Sequence, residues 1–188
     1  MKKLFLFILL ATTLNLFAHF PITVDTDESR GLISNVDFAP LQVGIGFFEN
    51  CQLYDGNVNT FISLGGLGLL QKSAVISFAP ISEVNKNYFL QCGLMTCTET
   101  NYLLTVSLLN LVKHNYGLQI GVGNVSTNNN GIQIGMFNGV GNVSTNNSGI
   151  QIGMFNTGGF LQLGLLNYNP RSYIPWLPLV NWDMGREE

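Results

Sequence analysis

The chain has 188 residues, enough for one domain with a sizeable core; 46% of them are apolar and only 10% are charged. That balance excludes a disordered polar chain, and a formal net charge of -3 with eight basic residues leaves no electrostatic footprint for nucleic acid. Beyond the N-terminus no run reaches about 18 apolar residues, so no spanning helix is expected in the mature chain.

Residues 1–18 read as a secretory signal peptide. Lys2 and Lys3 supply the positive region, 4–16 is an apolar stretch interrupted by Thr12, Thr13 and Asn15, and Ala18 offers a small residue for cleavage. There is no Cys beside that cut, so a lipid anchor of the lipoprotein kind is not expected. Residues 19–40 form a lead-in, or N-terminal cap, with Asp25, Asp27, Glu28 and Arg30 close together. These acids lack the later ligands and the glycine of a calcium loop, and a solvated segment accounts for them better.

From 41 to 168 the chain repeats. Ser63, Ser77, Gln91, Thr105, Gln119 and Gln133 follow one another at 14-residue steps, each bracketed by two apolar residues and followed two places on by a small one. Gln42, Gln151 and Gln162 carry the same cassette off the period. A fixed period means one structural unit stacked many times. The alternation within a cassette has period two, as in a strand, and we expect Ile132 and Ile134 to face inward with Gln133 outward. Asn59, Asn87, Asn101, Asn115, Asn129 and Asn147 form a second column, followed in part by Tyr88, Tyr102 and Tyr116. Asn110, Asn124, Asn138, Asn156 and Asn167 form a third. Asn tolerates left-handed backbone and bonds its own turn, which suits strand ends.

Two all-β architectures fit this spacing. In a β-solenoid each unit is a coil, and like stacks on like about 4.8 Å apart. In an antiparallel meander, or a small β-barrel, each unit is a strand and a turn. Steps of 18 and 11 residues late in the array, Asn138-Gly139, and the run from Asn156 to Gly159 favour hairpins. A membrane barrel needs an apolar band about 25 Å tall, whereas three alternate outward residues span only about 17–20 Å. The solenoid is the favoured fold. Residues 169–188, with Pro170, Pro175, Pro178, Trp176 and Trp182, form a C-terminal cap, because proline cannot donate to a ladder.

The segments Gly131–Asn138 and Gly149–Asn156, with Gly117–Gly121, read G-[LI]-Q-[IL]-G-x-x-N. This resembles the surface-repeat proteins first described in Leptospira and found in other bacteria. The stretch from Leu163 to Tyr168, followed by Ile174 to Asn181, looks like the end of such proteins. The likeness is close over 117–182 and looser over 41–110, where Ser or Thr replaces Gln. It implies export to a bacterial surface with no assigned activity, and it brings no catalytic residues.

Reactive chemistry is thin. His19 borders the signal and His114 is expected in a turn beside Lys113, without a nucleophile and acid in a triad arrangement. Cys51, Cys92 and Cys97 are an odd number for an exported chain and do not have metal-ligand spacing. Cys92 takes an aliphatic place in its cassette and reads as core filling. The glycines at 65–68 and 121–123 lack a phosphate-loop fingerprint. Asn124, Asn142 and Asn146 open glycosylation triplets, which in a bacterial chain read as turn chemistry. An outward face of Gln119, Gln133 and Gln151 could stack on sugar rings or on another copy; the simpler account is amides bonding one another along the array. No catalytic residue, metal site or cofactor is therefore expected, and no binding residue is assigned. The expected role is non-enzymatic: an exported surface or envelope protein with a structural or contact function, whose partner protein or glycan the sequence leaves unnamed. The alternatives are a small outer-membrane barrel serving as anchor or pore, periplasmic residence, and an extracellular hydrolase.

Overall fold

A computed structural model describes residues 37–44, 58–140 and 148–185. The signal segment, most of the lead-in, Cys51 and the triplets at Asn142 and Asn146 lie outside those residues. The described chain is all-β. Its strands are β1 (Phe38–Gly44), β2 (Asn59–Gly65), β3 (Gly68–Phe78), β4 (Ile81–Cys92), β5 (Met95–Asn101), β6 (Leu104–Val106), β7 (Leu109–Asn115), β8 (Leu118–Ile120), β9 (Gly123–Asn129), β10 (Ile132–Val140), β11 (Ile150–Thr157), β12 (Leu161–Tyr168) and β13 (Trp176–Trp182).

They wind into a β-solenoid. Long strands pair in the order β3-β4-β5-β7-β9-β10, and the short strands β6 and β8 bridge β4 to β10 on the other side of the coil. The pairing is parallel and in register by repeat: Leu104 faces Leu118 and Leu118 faces Ile132, while Asn110 faces Asn124 and Asn124 faces Asn138. The antiparallel meander is therefore not the fold. Asn138-Gly139 lies within β10 rather than at a hairpin, and β11 runs parallel to β12. The 11-residue step between Gln151 and Gln162 is made by a tight corner at Gly158 and Gly159, with φ of 72° and 103°, values that favour glycine. That corner keeps Asn156 opposite Asn167. The tail adds β13 antiparallel to β12, so the direction of the stack reverses at its C-terminal end.

The period-two alternation is present, but its faces are reversed from the expected assignment. Gln133 is 0% exposed, whereas Ile132 and Ile134 are 39% and 38% exposed. Gln42, Gln91, Gln119, Gln151 and Gln162 are sealed inside in the same way, with Ser63, Ser77 and Thr105 taking the position in the other coils. Alternation fixes that two faces differ; it does not fix which one turns inward. The interior here is narrow, and a planar amide can bond its copy one coil away at the strand spacing of about 4.8 Å. An aliphatic column would fill space there but leave nothing to satisfy inward hydroxyls such as Ser82 and Ser126.

The small residue two places after each centre has a steric cause. A Cβ added at Gly135 would collide with the Gly121 carbonyl oxygen and the Asn124 side chain, and Gly153 and Gly164 are crowded in the same way by the preceding coil. Close coil-to-coil approach at this corner admits only small residues, and Ala79 and Ser107 are the largest there.

Candidate functional site

Three amide columns fill the interior. In the first, Asn87 donates to Asn101, Asn101 to Asn115 and Asn115 to Asn129, each at 2.8 Å. In the second, Asn110, Asn124, Asn138 and Asn156 each donate to the next member at 2.7–2.8 Å, ending on Asn167. The second Nδ2 hydrogen of Asn124 goes to the Ile134 carbonyl and that of Asn156 to the Leu163 carbonyl. These Asn residues are thus cross-coil linkers; none has the left-handed backbone expected of turn Asn, and among the described non-glycine residues only Leu179 has a positive φ.

The third column is Gln, and it faces the long strands across the interior. Gln133 donates to Gln119 at 2.8 Å, Gln151 to Gln133 at 2.8 Å and Gln162 to Gln151 at 3.1 Å. Ser126 on β9 donates to Gln119 Oε1 and accepts from Gln133 Nε2, while Gln91 reaches Ser82 Oγ at 2.7 Å. Some buried polar atoms without a partner mark column ends: Asn87 Oδ1 at the start of the first Asn column, Gln119 Nε2 and Gln162 Oε1 at the two ends of the Gln column. The sugar-stacking face of Gln119, Gln133 and Gln151 does not exist, because these amides are enclosed.

The exterior carries what sequence reasoning had placed inside. The short-strand face exposes Leu41, Val43, Leu64, Phe78, Ile120, Ile132, Ile134, Ile152 and Leu163. One corner exposes Leu67, Leu94, Leu108, Val122, Met136, Met154 and Leu165, and the other Tyr88, Phe89, Tyr102, Leu103 and Tyr116. Like does stack on like: Tyr88 and Tyr102 lie 5.3 Å apart and 4° from parallel, Tyr102 and Tyr116 6.1 Å apart, and Phe137 and Phe155 5.4 Å apart. Beyond Tyr116 the column passes to Asn130 and Ser148, joined by a 3.1 Å hydrogen bond, and a groove of about 450 Å³ opens beside Tyr102, Tyr116 and Ile150. The signal for this exterior was already in the cassette, since each polar centre has an apolar residue on both sides.

The charges are confined to the long-strand face, which also exposes Ile81 and carries the Phe137–Phe155 stack. Lys72 on β3, Glu83 and Lys86 on β4, Glu99 on β5 and Lys113 on β7 all stand on the long strands, and no further charged residue occurs before Arg171. Lys113 meets Glu99 at 3.2 Å. His114 lies in β7 rather than in a turn, and its Nδ1 is 3.0 Å from Asn128 Nδ2. Cys92 and Cys97 are free thiols; burial pushes both up, Cys97 to about 11 with the neighbouring Glu83 carboxylate adding to the effect. Burial likewise raises Glu83 above the ordinary carboxylate range. Among the described residues no three His, Cys, Asp or Glu side chains group together, and no helix is long and apolar enough to cross a membrane. No family model matches this chain, and no match was found among curated proteins or solved structures.

Proposed function

We propose that this is an exported, non-enzymatic repeat protein of the cell surface or outer envelope, acting by contact through its outer surface. One observation carries the reading: the reactive and polar inventory is turned inward or confined to one strip, while apolar side chains occupy most of the outside. A continuous run of exposed apolar side chains of this kind supports a contact surface. The signal-like residues 1–18 and the resemblance of 117–182 to bacterial surface repeats support export. A conducting barrel is not proposed, because the strands are parallel and the interior is occupied by packed amides.

Fractionation of cells that make the chain tests the reading. Recovery in the envelope or on the surface, with the N-terminal segment removed, is the expected result. Recovery in the cytosol with that segment intact would overturn it.

A further inference from the structure

Gln133 and Gln151 each pass a side-chain N–H to the Oε1 of the Gln one coil earlier. Gln119 turns its Oε1 to Gln133 and Ser126, so its Nε2 is directed to the coil before, where Thr105 stands opposite it in the β6–β8 register. Thr105 and Gln119 are both 0% exposed, and neither Thr105 Oγ1 nor Gln119 Nε2 has a hydrogen-bond partner within the chain. Buried groups of this kind are costly when left unpaired. We propose that Thr105 Oγ1 and Gln119 Nε2 hold a buried water molecule between them, in the place of the amide that a Gln at 105 would supply.

The register provides the room. Thr105 pairs with Gln119 and Gln119 with Gln133 on one side of the interior, and Val112 pairs with Ser126 and Ser126 with Val140 on the other. The coil of Gln133 therefore encloses a Gln together with the buried Val140, whereas the coil of Thr105 encloses a Thr together with the buried Val112. Thr has two heavy atoms fewer than Gln, about the space of one water.

The chemistry fits as well. Gln133 Nε2 donates to Gln119 Oε1 and to the Ser126 hydroxyl. One coil earlier both acceptors are replaced, the amide by the shorter Thr105 and the hydroxyl by Val112. A water accepts from Gln119 Nε2 and bonds Thr105 Oγ1, which makes two of the two to four partners that buried waters have. Ser77 repeats the pattern, with buried Val84 seven residues on and an unpartnered Oγ. Gln91, by contrast, has Thr98 seven residues on, and Thr98 donates to its Oε1. An ion does not fit beside Thr105, because no charged side chain is buried among the described residues and nothing would offset its lost hydration.

A crystal structure of the purified protein, at a resolution that shows ordered water, tests the proposal. The expected result is a water within about 2.7–3.2 Å of both Gln119 Nε2 and Thr105 Oγ1. No water at that place, or Gln119 Nε2 turned onto a protein partner, would overturn it. Urea denaturation gives a second readout. Thr105→Val keeps the shape and deletes the hydroxyl, while Thr98→Val deletes a hydroxyl already bonded to Gln91. Both should lower the urea midpoint. A Thr105→Val midpoint equal to or above the parent's would overturn the proposal, because a hydroxyl that bonds nothing is better replaced by a methyl group. The crystal reading uses the parent protein, so it decides even where a variant fails to fold. Neither readout depends on where a cell sends the chain.

Discussion

Gln133 donates its side-chain amide to Gln119 one coil earlier, whereas Asn124, on the opposite side of the same interior, donates to Asn138 one coil later. The Gln column and the Asn columns therefore run in opposite directions, and their amide dipoles oppose one another along the axis. Each inner member is donor and acceptor at once, so a single defect there strands partners above and below.

That dependence sets the outcome of replacing Gln133. In Gln133→Leu, Gln151 loses its Oε1 acceptor and Ser126 the amide it accepts from, while packing volume is kept. Leaving buried polar groups short of partners costs about 1–3 kcal/mol each. Gln133→Glu is worse: a carboxylate would face Gln119 Oε1 without a donor to offer, and an unpaired buried charge costs about 3–5 kcal/mol. Urea denaturation should rank them parent, Leu, Glu. A Glu variant as stable as the parent would mean the column is hydrated.

The corner glycines separate steric need from mere composition. Gly135→Ala drives a Cβ into the Gly121 carbonyl and Asn124, and neither the backbone nor a column Asn can move aside. Overpacking of this kind costs about 1–3 kcal/mol. At Gly139 the nearest atom to a new Cβ is Thr157 Cγ2 at 3.7 Å, an ordinary contact, so Gly139→Ala should be neutral or slightly stabilising. Thermal melts of the two variants check this contrast, and equal melting points would refute it.

The same residues show what the sequence makes legible. The 14-residue recurrence of Gln119 and Gln133 announces a stacked array, and the Tyr88, Tyr102 and Tyr116 column announces in-register stacking, because only parallel coils bring residues 14 apart face to face. Polarity misleads about direction. Burial of Ile134 and exposure of Gln133 follow from water-driven packing. That rule gives way when polar groups recur at the strand spacing and bond their own copies, as Gln133 does with Gln119 and Gln151. The steps of 18 and 11 residues mislead for a different reason. Gly158 and Gly159 shorten a corner without breaking the ladder, and spacing alone does not distinguish a shortened coil from a hairpin.

Glu83 gives the protein a pH dependence with a definite sign. Burial raises its folded-state pKa above the ordinary value, so folding favours the protonated form. The contribution is fully present below the unfolded carboxylate range and is lost as pH rises through the raised folded value. The parent should therefore lose stability as pH rises above the ordinary carboxylate range, while Glu83→Gln should be flatter across that window and more stable at its upper end. Denaturation midpoints across the window test this, and parallel curves for the two proteins would refute it.

Cys97 stands opposite Glu83 in the β4–β5 register, and that neighbour should govern its reactivity. Burial and the carboxylate together push the thiol up to about 11. At pH 8 roughly one Cys97 in a thousand would then be thiolate, and the thiolate is the nucleophile. Alkylation of Cys97, followed peptide by peptide, should be about a hundredfold slower in the native protein than in urea. Glu83→Gln removes the nearby negative charge and should speed the native reaction, while leaving the rate in urea unchanged. Burial remains in the variant, so the native rate should still lag the unfolded one. If Cys97 instead reacted equally fast in native and unfolded parent protein, Glu83 and Cys97 would not share a half-buried position on adjacent coils.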